Sequence, residues 1–224
     1  MKKRVVAFVP IKMNSQRLPY KNILPLGEHA LCWYIFSELL KCDNVDKVYV
    51  YCSDTAIREY IPQGVHFLQR PTYLDGDSVK GAEIYRQFIA SVDADVYLLA
   101  HATSPLVKAK SIQTGVEKVV SGMYDSAFSV KEEKTFAWYQ GRTVNYSLDD
   151  VVRTQDLEPV YLETSAFFIF NKEIFTDYGR RIGFKPWMSI LDAEEAVDID
   201  TAEDYQLAKF YLEERIYANY SCAD

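Results

Sequence analysis

Short apolar segments alternate with segments of helical periodicity from Val5 to Val130, and this alternation constrains the fold more than any other feature. The strand-like segments are Val5–Val9, Val45–Cys52, Val65–Leu68, Val96–Ala100 and Ser126–Val130. The helix-like segments are Ala30–Leu40, Ser78–Val92 and, approximately, 108–120. This rhythm predicts an α/β protein in which a mostly parallel sheet lies between helices on both faces, giving three layers.

The composition excludes several classes of function. The net charge is −7, with 32 acidic against 25 basic residues, and no basic block interrupts this balance. Nucleic-acid binding is therefore not expected. The N-terminal apolar run is too short for a signal peptide, and no stretch reaches the roughly 20 apolar residues that cross a bilayer, so we expect a cytoplasmic protein with no membrane contact. The 4 cysteines form no CxxC pair, as expected for reduced, packed thiols.

The alternation breaks in the middle of the chain. Residues from about 131 to 161 are polar and aromatic, which suits a hairpin excursion or an arm for dimerisation. A strand resumes over Thr164–Asn171, another is predicted over Ala196–Asp200, and Thr201–Tyr217 is predicted to be a helix that Thr201 and Asp204 cap. Without a repeat or a linker, residues 1–224 are predicted to form one domain with an inserted arm.

The loop that follows the first strand is unusually polar and basic. It reads VPIKMNSQRLPYKN, and Lys12, Arg17 and Lys21 lie within it. Ligands of parallel sheets bind beyond the carboxyl ends of the strands, where this loop is expected. Its backbone N–H groups and basic side chains suit phosphate binding. The alternative is a solvated loop whose cations pair with the surplus acids. The loop contains no glycine and is not a Walker A motif.

A pair of aspartates lies near the C-terminal end, in VDIDTAEDY. Asp198 and Asp200 alternate with apolar residues, so a strand would place both carboxylates on one face. Adjacent carboxylates repel each other unless a cation lies between them, and Mg²⁺ is often held by one or two carboxylates together with substrate phosphates. Two solvated acids at the end of a strand are the alternative.

Three further segments are candidates for binding. His101, in AHATSPL, follows a strand and so faces the ligand edge of the predicted sheet. Arg70 precedes Pro71, and Asp77 with Ser78 is positioned to cap the next helix. The segment RTQDLEPVYLETSAFF, Arg153–Phe168, mixes polar and aromatic side chains and suits either a sugar-binding wall or a dimer interface.

In this order, these segments resemble those of the CMP-sialic acid synthetases, the acylneuraminate cytidylyltransferase family. A looser resemblance is to the CMP-Kdo synthetases, through Arg17-Leu18-Pro19. The family's IPARGGSKGIPLKN aligns without a gap on VPIKMNSQRLPYKN, and its QPTSPLR resembles HATSPLV. Its RP…D(S/T), RQDLP…ENGA and IDID(T/S)xED elements correspond to Arg70–Ser78, Arg153–Ala166 and Val197–Asp204. Each motif alone is weak, and five in order make a specific signal.

The resemblance implies a nucleotide-diphospho-sugar transferase-like fold with a dimerisation excursion, and hence a homodimer. It implies a Mg²⁺-dependent enzyme whose substrates are CTP and an acidic 2-keto sugar. In this reaction the anomeric hydroxyl attacks the α-phosphate of CTP, pyrophosphate leaves and a CMP-sugar forms. A sialic, legionaminic, pseudaminic or related acid is the expected sugar.

The resemblance also assigns roles to residues. The catalytic candidates are Lys21, Arg17 and Lys12. The nucleotide-binding candidates are Ile11, Lys12, Asn14, Ser15, Arg17, Lys21, Asn22, Arg70 and Ser78. The sugar-binding candidates are His101, Gln155, Tyr161, Glu163, Phe167 and Phe168. The Mg²⁺ ligands are Asp198 and Asp200.

Several positions depart from the family pattern. Lys12 replaces an arginine, Met13 and Asn14 replace two glycines, His101 replaces a glutamine, and Thr164-Ser165 replaces Asn-Gly. These changes leave two alternatives open. One is a nucleotidyltransferase for another sugar or a sugar phosphate, and the other is a non-catalytic relative that binds nucleotide or sugar.

Overall fold

The computed structural model describes residues 2–14 and 18–221, with side chains as far as residue 215. The strands are β1 (Val5–Ile11), β2 (Pro25–Leu26), β3 (His29–Ala30), β4 (Lys47–Cys52), β5 (His66–Gln69), β6 (Val96–Ala100), β7 (Ser126–Glu133), β8 (Trp138–Tyr139), β9 (Arg142–Thr143), β10 (Val160–Asn171) and β11 (Pro186–Leu191). The α-helices are α1 (Leu31–Leu40), α2 (Gly81–Ser91), α3 (Ala109–Val120), α4 (Lys172–Tyr178) and α5 (Ala202–Ser221).

Seven strands form one mixed sheet in the order β11-β7-β10-β6-β1-β4-β5. Strand β10 is antiparallel to both of its neighbours, and the other paired strands are parallel. A buried cluster that includes residues of α1 and α3 covers one face, and a cluster that includes residues of α2 and α4 covers the other. The predicted α/β sheet with helices on both faces is confirmed.

The sequence of strand β1 explains why this strand lies in the interior of the sheet. Val5, Ala7 and Val9 belong to the first cluster, whereas Val6 and Phe8 belong to the second. A strand that is apolar on both faces is stable only between two layers of helices. The loop that leaves its carboxyl end is therefore placed at the middle of the sheet edge.

Two local predictions were wrong. No strand forms over residues 196–200, although Val197 and Ile199 are buried there and Asp198 and Asp200 are only partly so. The alternation of apolar and acidic residues arises because Val197 and Ile199 pack against α5, and not because the segment pairs with another strand. The second helix begins at Gly81 instead of Ser78, and its capping box joins Lys80 to Glu83, so Asp77 and Ser78 do not cap it.

Other local predictions hold. Asp204 Oδ2 accepts a hydrogen bond from Thr201 N at 2.8 Å, and Thr201 Oγ1 accepts one from Asp204 N at 3.2 Å, as predicted for the cap of α5. Helix α4 and strand β11 were not predicted. Within the described part of the chain, none of the helices is both long and apolar enough to cross a membrane.

The segment predicted to be an arm is shorter than expected, because strands β7 and β10 extend into it. Between them lie the small hairpin of β8 and β9 and a 3-10 turn over Thr154–Asp156. The pairing of β10 with β7 shifts register between Glu163 and Phe168, which marks a bulge. This bulge lies at the sheet edge where the candidate site residues were predicted.

Candidate active site

The loops after β1, β4 and β6 open on one edge of the sheet, as the parallel arrangement requires. A segment near the C-terminus also reaches this edge, because Ile199 N donates to Thr103 O at 2.8 Å. Residues that are far apart in the sequence therefore meet at the ends of the central strands.

Lys21 joins the first loop to the aspartate segment. Its side chain is buried, and Nζ donates to Ile199 O at 2.6 Å and to Asp200 Oδ1 at 3.0 Å. A buried ammonium group needs such partners because burial removes its hydration. The phosphate-binding candidate and a metal-ligand candidate thus form one charged pair.

Asp198 lies beside this pair. Its Oδ1 is buried and has no hydrogen-bond partner among the described residues. Burial raises the pKa of Asp198, a hydrogen bond with the Thr103 side chain partly offsets this, and the charge of Asp200 raises it further. A desolvated carboxylate with one unpartnered oxygen, next to a second carboxylate, is a donor set that suits a divalent cation.

The described residues supply few other metal ligands at this point. Asp204 is engaged by the backbone N–H groups of Asp200 and Thr201, and no cluster of three or more His, Cys, Asp or Glu side chains suited to a metal occurs in the described ranges. The pair Asp198 and Asp200 fits Mg²⁺, which commonly keeps water and substrate phosphates as its remaining ligands.

A cavity of about 350 Å³ lies next to the first loop. Its lining residues are Lys12, Asn14, Asn22, Arg70, Leu74, Asp75, Gly76, Asp77, Val79 and Ile84. Lys12 Nζ lies 2.8 Å from Asp77 Oδ1, and Asn22 Nδ2 donates to Lys12 O at 3.0 Å. Four nucleotide-binding candidates, Lys12, Asn14, Asn22 and Arg70, are thus brought together around a polar cavity.

Arg70 is the most buried cation of this cavity, with 2% of its surface exposed. Its Nη2 donates to Asp75, its backbone N–H donates to Cys52 O at 2.9 Å, and its Nε has no partner among the described residues. A guanidinium group keeps several donors in a fixed fork, so Asp75 does not exhaust its capacity for an anion.

Among the described residues, the remaining nucleotide candidates do not line this cavity. Ile11 is fully buried in the core, so only its backbone can face a ligand. Ser78 is exposed and does not line the cavity, although its neighbours Asp77 and Val79 do. Ser15 and Arg17 lie outside the described residues, and their predicted roles stay predictions.

A second group of predicted residues meets at the bulge of β10. His101 Nδ1 lies 2.5 Å from Ser165 O, and the His101 ring lies 6.2 Å from the Phe168 ring. Buried Ser129 holds the bulge, because its Oγ accepts from Phe167 N at 3.1 Å and from Thr164 Oγ1 at 2.8 Å. The bulge thus aims a backbone carbonyl at the histidine.

The backbone of the bulge is strained at one position. Ser165 has a φ of 60°, in the left-handed region where residues with a Cβ are disfavoured. This is the position at which the family motif has glycine. The chain therefore keeps the left-handed conformation without the residue that adopts it most easily.

Burial lowers the pKa of His101, hydrogen bonding with Ser165 O opposes this, and the charge of Arg181 lowers it further. A neutral imidazole is favoured, with one nitrogen able to donate and the other to accept. His101 is thus suited to hydrogen bonding with a hydroxyl-rich ligand.

The other sugar candidates do not all lie near His101. Glu163 is exposed and pairs with Arg181, whereas Phe168 is fully buried beneath Arg181 and Phe167 is buried on the opposite face of the sheet. Gln155 and Tyr161 are exposed within the arm, where Gln155 O accepts from Lys134 Nζ at 3.3 Å and Tyr161 is paired with Glu132. Their predicted role stays a prediction.

The sequence interpretation missed Arg181, which contacts both Glu163 and Phe168. It also missed Thr103, which bonds to Asp198, and Ser129, which holds the bulge. A pair of arginines at 180–181 in an acidic chain was the available signal for Arg181. Thr103 and Ser129 carry no comparable signal.

The family model described as cytidylyltransferase matches residues 6–220 of this chain. The chain belongs to the cytidylyltransferase family. Its fold also matches a solved CMP:2-keto-3-deoxy-manno-octonic acid synthetase complexed with CTP, with a TM-score of 0.70 and 12% identity over 95% of this chain and 99% of that chain.

Two curated relatives are similar to this chain in sequence and act, by their names, on different acidic sugars. An N-acylneuraminate cytidylyltransferase of Streptococcus agalactiae serotype V is 25% identical over 211 residues, which cover 89% of this cytidylyltransferase and 51% of the relative. A pseudaminic acid cytidylyltransferase of Campylobacter jejuni serotype O:2 is 24% identical over 221 residues, covering 91% and 94%. The chain thus spans about half the length of the first relative and nearly all of the second.

Proposed function

We propose that this cytidylyltransferase transfers the CMP group of CTP to an acidic 2-keto sugar, such as a sialic, pseudaminic or legionaminic acid, and releases pyrophosphate. The observation that carries the proposal is the contact of Lys21 with Asp200, two residues 179 positions apart in the sequence, beside the cavity of Lys12 and Arg70. Cations for a triphosphate and carboxylates for a divalent cation are thus neighbours.

The names of the relatives support the choice of substrates. Both curated relatives are cytidylyltransferases of acidic sugars, and the solved structure with the same fold is complexed with CTP. Three cations suited to a triphosphate, Lys12, Arg70 and Lys21, lie at the same sheet edge despite the net charge of −7, and each is paired with an aspartate. Clustered cations allow an acidic protein to attract a polyanion locally.

The residues bind and orient the two substrates. Lys12, Arg70 and Lys21 offset the charge of the triphosphate, and Asn14 and Asn22 hydrogen-bond around it. The anomeric oxygen of the sugar then bonds to the α-phosphorus, the bond to the bridging oxygen breaks, pyrophosphate leaves and the hydroxyl proton passes to solvent. Reactions of this kind need positioning and charge neutralisation more than covalent catalysis. Ser15 and Arg17, in the same loop as Lys12, are also proposed to bind the nucleotide.

Asp198 and Asp200 would hold Mg²⁺, which when bound supplies charge neutralisation for the triphosphate. In the structure, the ammonium group of Lys21 balances the charge of Asp200. With the cation held by these aspartates, Lys21 would be available to the phosphates of the nucleotide.

We also propose that the protein acts as a homodimer through the segment 131–161. Trp138, Tyr139 and Leu148 are largely exposed there, with 55%, 68% and 65% of their surfaces accessible. Exposed apolar side chains concentrated on one excursion are typical of a protein interface. Gln155 and Tyr161 lie within the same segment, so a role at the sugar site would depend on dimer formation.

The test is release of pyrophosphate by the purified protein with Mg²⁺ and each of the four nucleoside triphosphates. Each nucleotide is combined with sialic, pseudaminic, legionaminic and Kdo-type acids. We expect release with CTP and one of these acids, and no release when Mg²⁺ is removed by chelation. Release with another nucleotide alone, or CTP binding without product for any of the acids, would contradict the proposal.

A further inference from the structure

Arg181 lies beside several of the candidate sugar-binding residues, although none of the sequence motifs includes it. Its Nη2 donates to Glu163 Oε1 at 3.0 Å, and its guanidinium carbon lies 3.6 Å from the centre of the Phe168 ring. Its charge also acts on His101. Three of the residues predicted to bind the sugar thus have the same cation as a neighbour.

The guanidinium group retains capacity for a ligand. Its side chain is 30% exposed, so it is accessible without being freely mobile. One Nη is used by Glu163, whereas a guanidinium group has five N–H donors in a planar fork that matches a carboxylate. Stacking on Phe168 fixes the plane of the fork.

A cavity of about 590 Å³ opens beside this group. Arg181 lines it together with Gly81, Ala82 and Tyr85 of α2, Phe175 of α4, and the loop that follows α4. Burial raises the pKa of the Tyr85 hydroxyl, and the adjacent Arg181 partly offsets this effect. The first turn of α2 lies between this cavity and the nucleotide cavity, since Val79 and Ile84 line the latter.

The loop that carries Arg181 is fastened on both sides. Gly179 ends α4 in the left-handed conformation. Downstream, Asp125 Oδ2 accepts from Phe184 N at 2.6 Å and Lys185 N at 3.0 Å, and Gly183 N donates to Ser126 Oγ at 2.8 Å. Donors held by such contacts lose little conformational freedom when a ligand binds, which favours affinity.

We propose that Arg181 is the specificity-determining residue that binds the carboxylate of the acidic sugar. The inference rests on the proposed function and deepens it, because it names one side chain that recognises the acidic group of the substrate. The guanidinium group forms charge-assisted hydrogen bonds with the sugar carboxylate, and Glu163 and Phe168 hold it in position. The sugar ring then lies in the cavity that Arg181 lines together with Tyr85 and Phe175.

The experiment compares wild type, Arg181→Met, Arg181→Lys and Arg58→Met, using the acid of the panel that wild type turns over fastest. Arg58 is the matched control, because its guanidinium carbon also lies over an aromatic ring, 4.5 Å from the centre of the Phe67 ring, and it lines neither candidate cavity. The KM for CTP, the KM for the acid and the inhibition constant of its methyl ester, used as a competitor, are measured for each variant.

For Arg181→Met we expect kcat/KM for the acid to fall about 10- to 100-fold, the range expected when a charge-assisted hydrogen bond is lost. The KM for CTP stays within about twofold. Wild type favours the acid over its ester at least about tenfold, and the variant loses most of this preference. Arg181→Lys retains part of it, and Arg58→Met behaves like wild type.

An active wild type that does not favour the acid over its ester, or an unchanged preference in Arg181→Met, would overturn the assignment of the carboxylate to Arg181 while leaving the proposed function in place. If Arg181→Met is unfolded by circular dichroism, Arg181→Lys decides, and a preference identical to that of wild type together with an unchanged kcat/KM would overturn the assignment. A wild type that binds CTP without turnover of any acid would instead overturn the proposed function, and the assignment with it.

Discussion

The ammonium nitrogen of Lys21 lies 3.0 Å from Oδ1 of Asp200, and the lysine side chain is only 8% exposed. This contact joins the first loop to the segment before the last helix. The charge of the metal-ligand candidate Asp200 is thus already balanced by the lysine that we propose to bind the phosphates of the nucleotide.

The first prediction concerns this pair. Asp200→Asn keeps the size of the side chain and its ability to accept from Lys21, but removes the charge that a divalent cation needs. We expect Mg²⁺-dependent turnover to fall by at least about 100-fold, with a circular dichroism spectrum like that of wild type. Asp149→Asn, at an exposed position between β9 and the 3-10 turn at Thr154, serves as the control. Activity that survives in Asp200→Asn would remove Asp200 from the metal site.

The second prediction concerns Lys12, which stands where the family motif has arginine. Lys12→Arg adds a forked donor to the nucleotide cavity, so the Kd for CTP measured by calorimetry should stay the same or decrease by about two- to tenfold. Lys41→Arg, at the end of α1 where Lys41 pairs with Glu38, should leave it unchanged. A large increase in Kd for Lys12→Arg would mean that the loop is built around lysine and its contact with Asp77.

The third prediction concerns the strained bulge. Ser165→Gly relieves a φ of 60° and should increase the free energy of unfolding by about 1 kcal/mol. Ser91→Gly, at the end of α2, should decrease it by about 0.5 kcal/mol or more, since glycine adds freedom to the unfolded chain and removes the hydrogen bond from Ser91 Oγ to Gln87 O. Denaturation with urea measures both changes. A loss of stability in Ser165→Gly would show that the serine side chain contributes more than the strain costs.

The fourth prediction concerns pH. Burial lowers the pKa of His101 below its usual 6.5, so the unfolded chain binds a proton at this position at a higher pH than the folded protein does. The free energy of unfolding therefore falls as the pH decreases below about 6.5. His101→Gln removes this contribution, and its stability should depend less on pH between about 7 and 5.

Thermal unfolding monitored across this pH range checks the effect. His29→Gln, at an exposed position on β3, is expected to keep the pH dependence of wild type. Identical pH dependence in wild type and His101→Gln would show that His101 is accessible to protons in the folded protein. The glutamine variant should also retain turnover, since the family motif has glutamine at this position.

The sequence by itself determined the class of fold. The alternation of apolar strands and amphipathic helices dictates a sheet covered on both faces, because each element has an apolar surface that only such a neighbour can bury. It also determined that Lys12, Arg70 and His101 would follow strands. The order of the motifs was enough to indicate a cytidylyltransferase.

The tertiary structure alone decided which of these residues meet. Asp198 and Asp200 do not lie on a strand, and their position depends on Val197 and Ile199 packing against α5. Phe167 and Phe168 are neighbours in sequence, yet they pack on opposite faces of the sheet. Arg181 reaches Glu163 because Asp125 fastens its loop and because β10 has a bulge. Contacts of this kind depend on register and on long-range packing, which local periodicity does not specify.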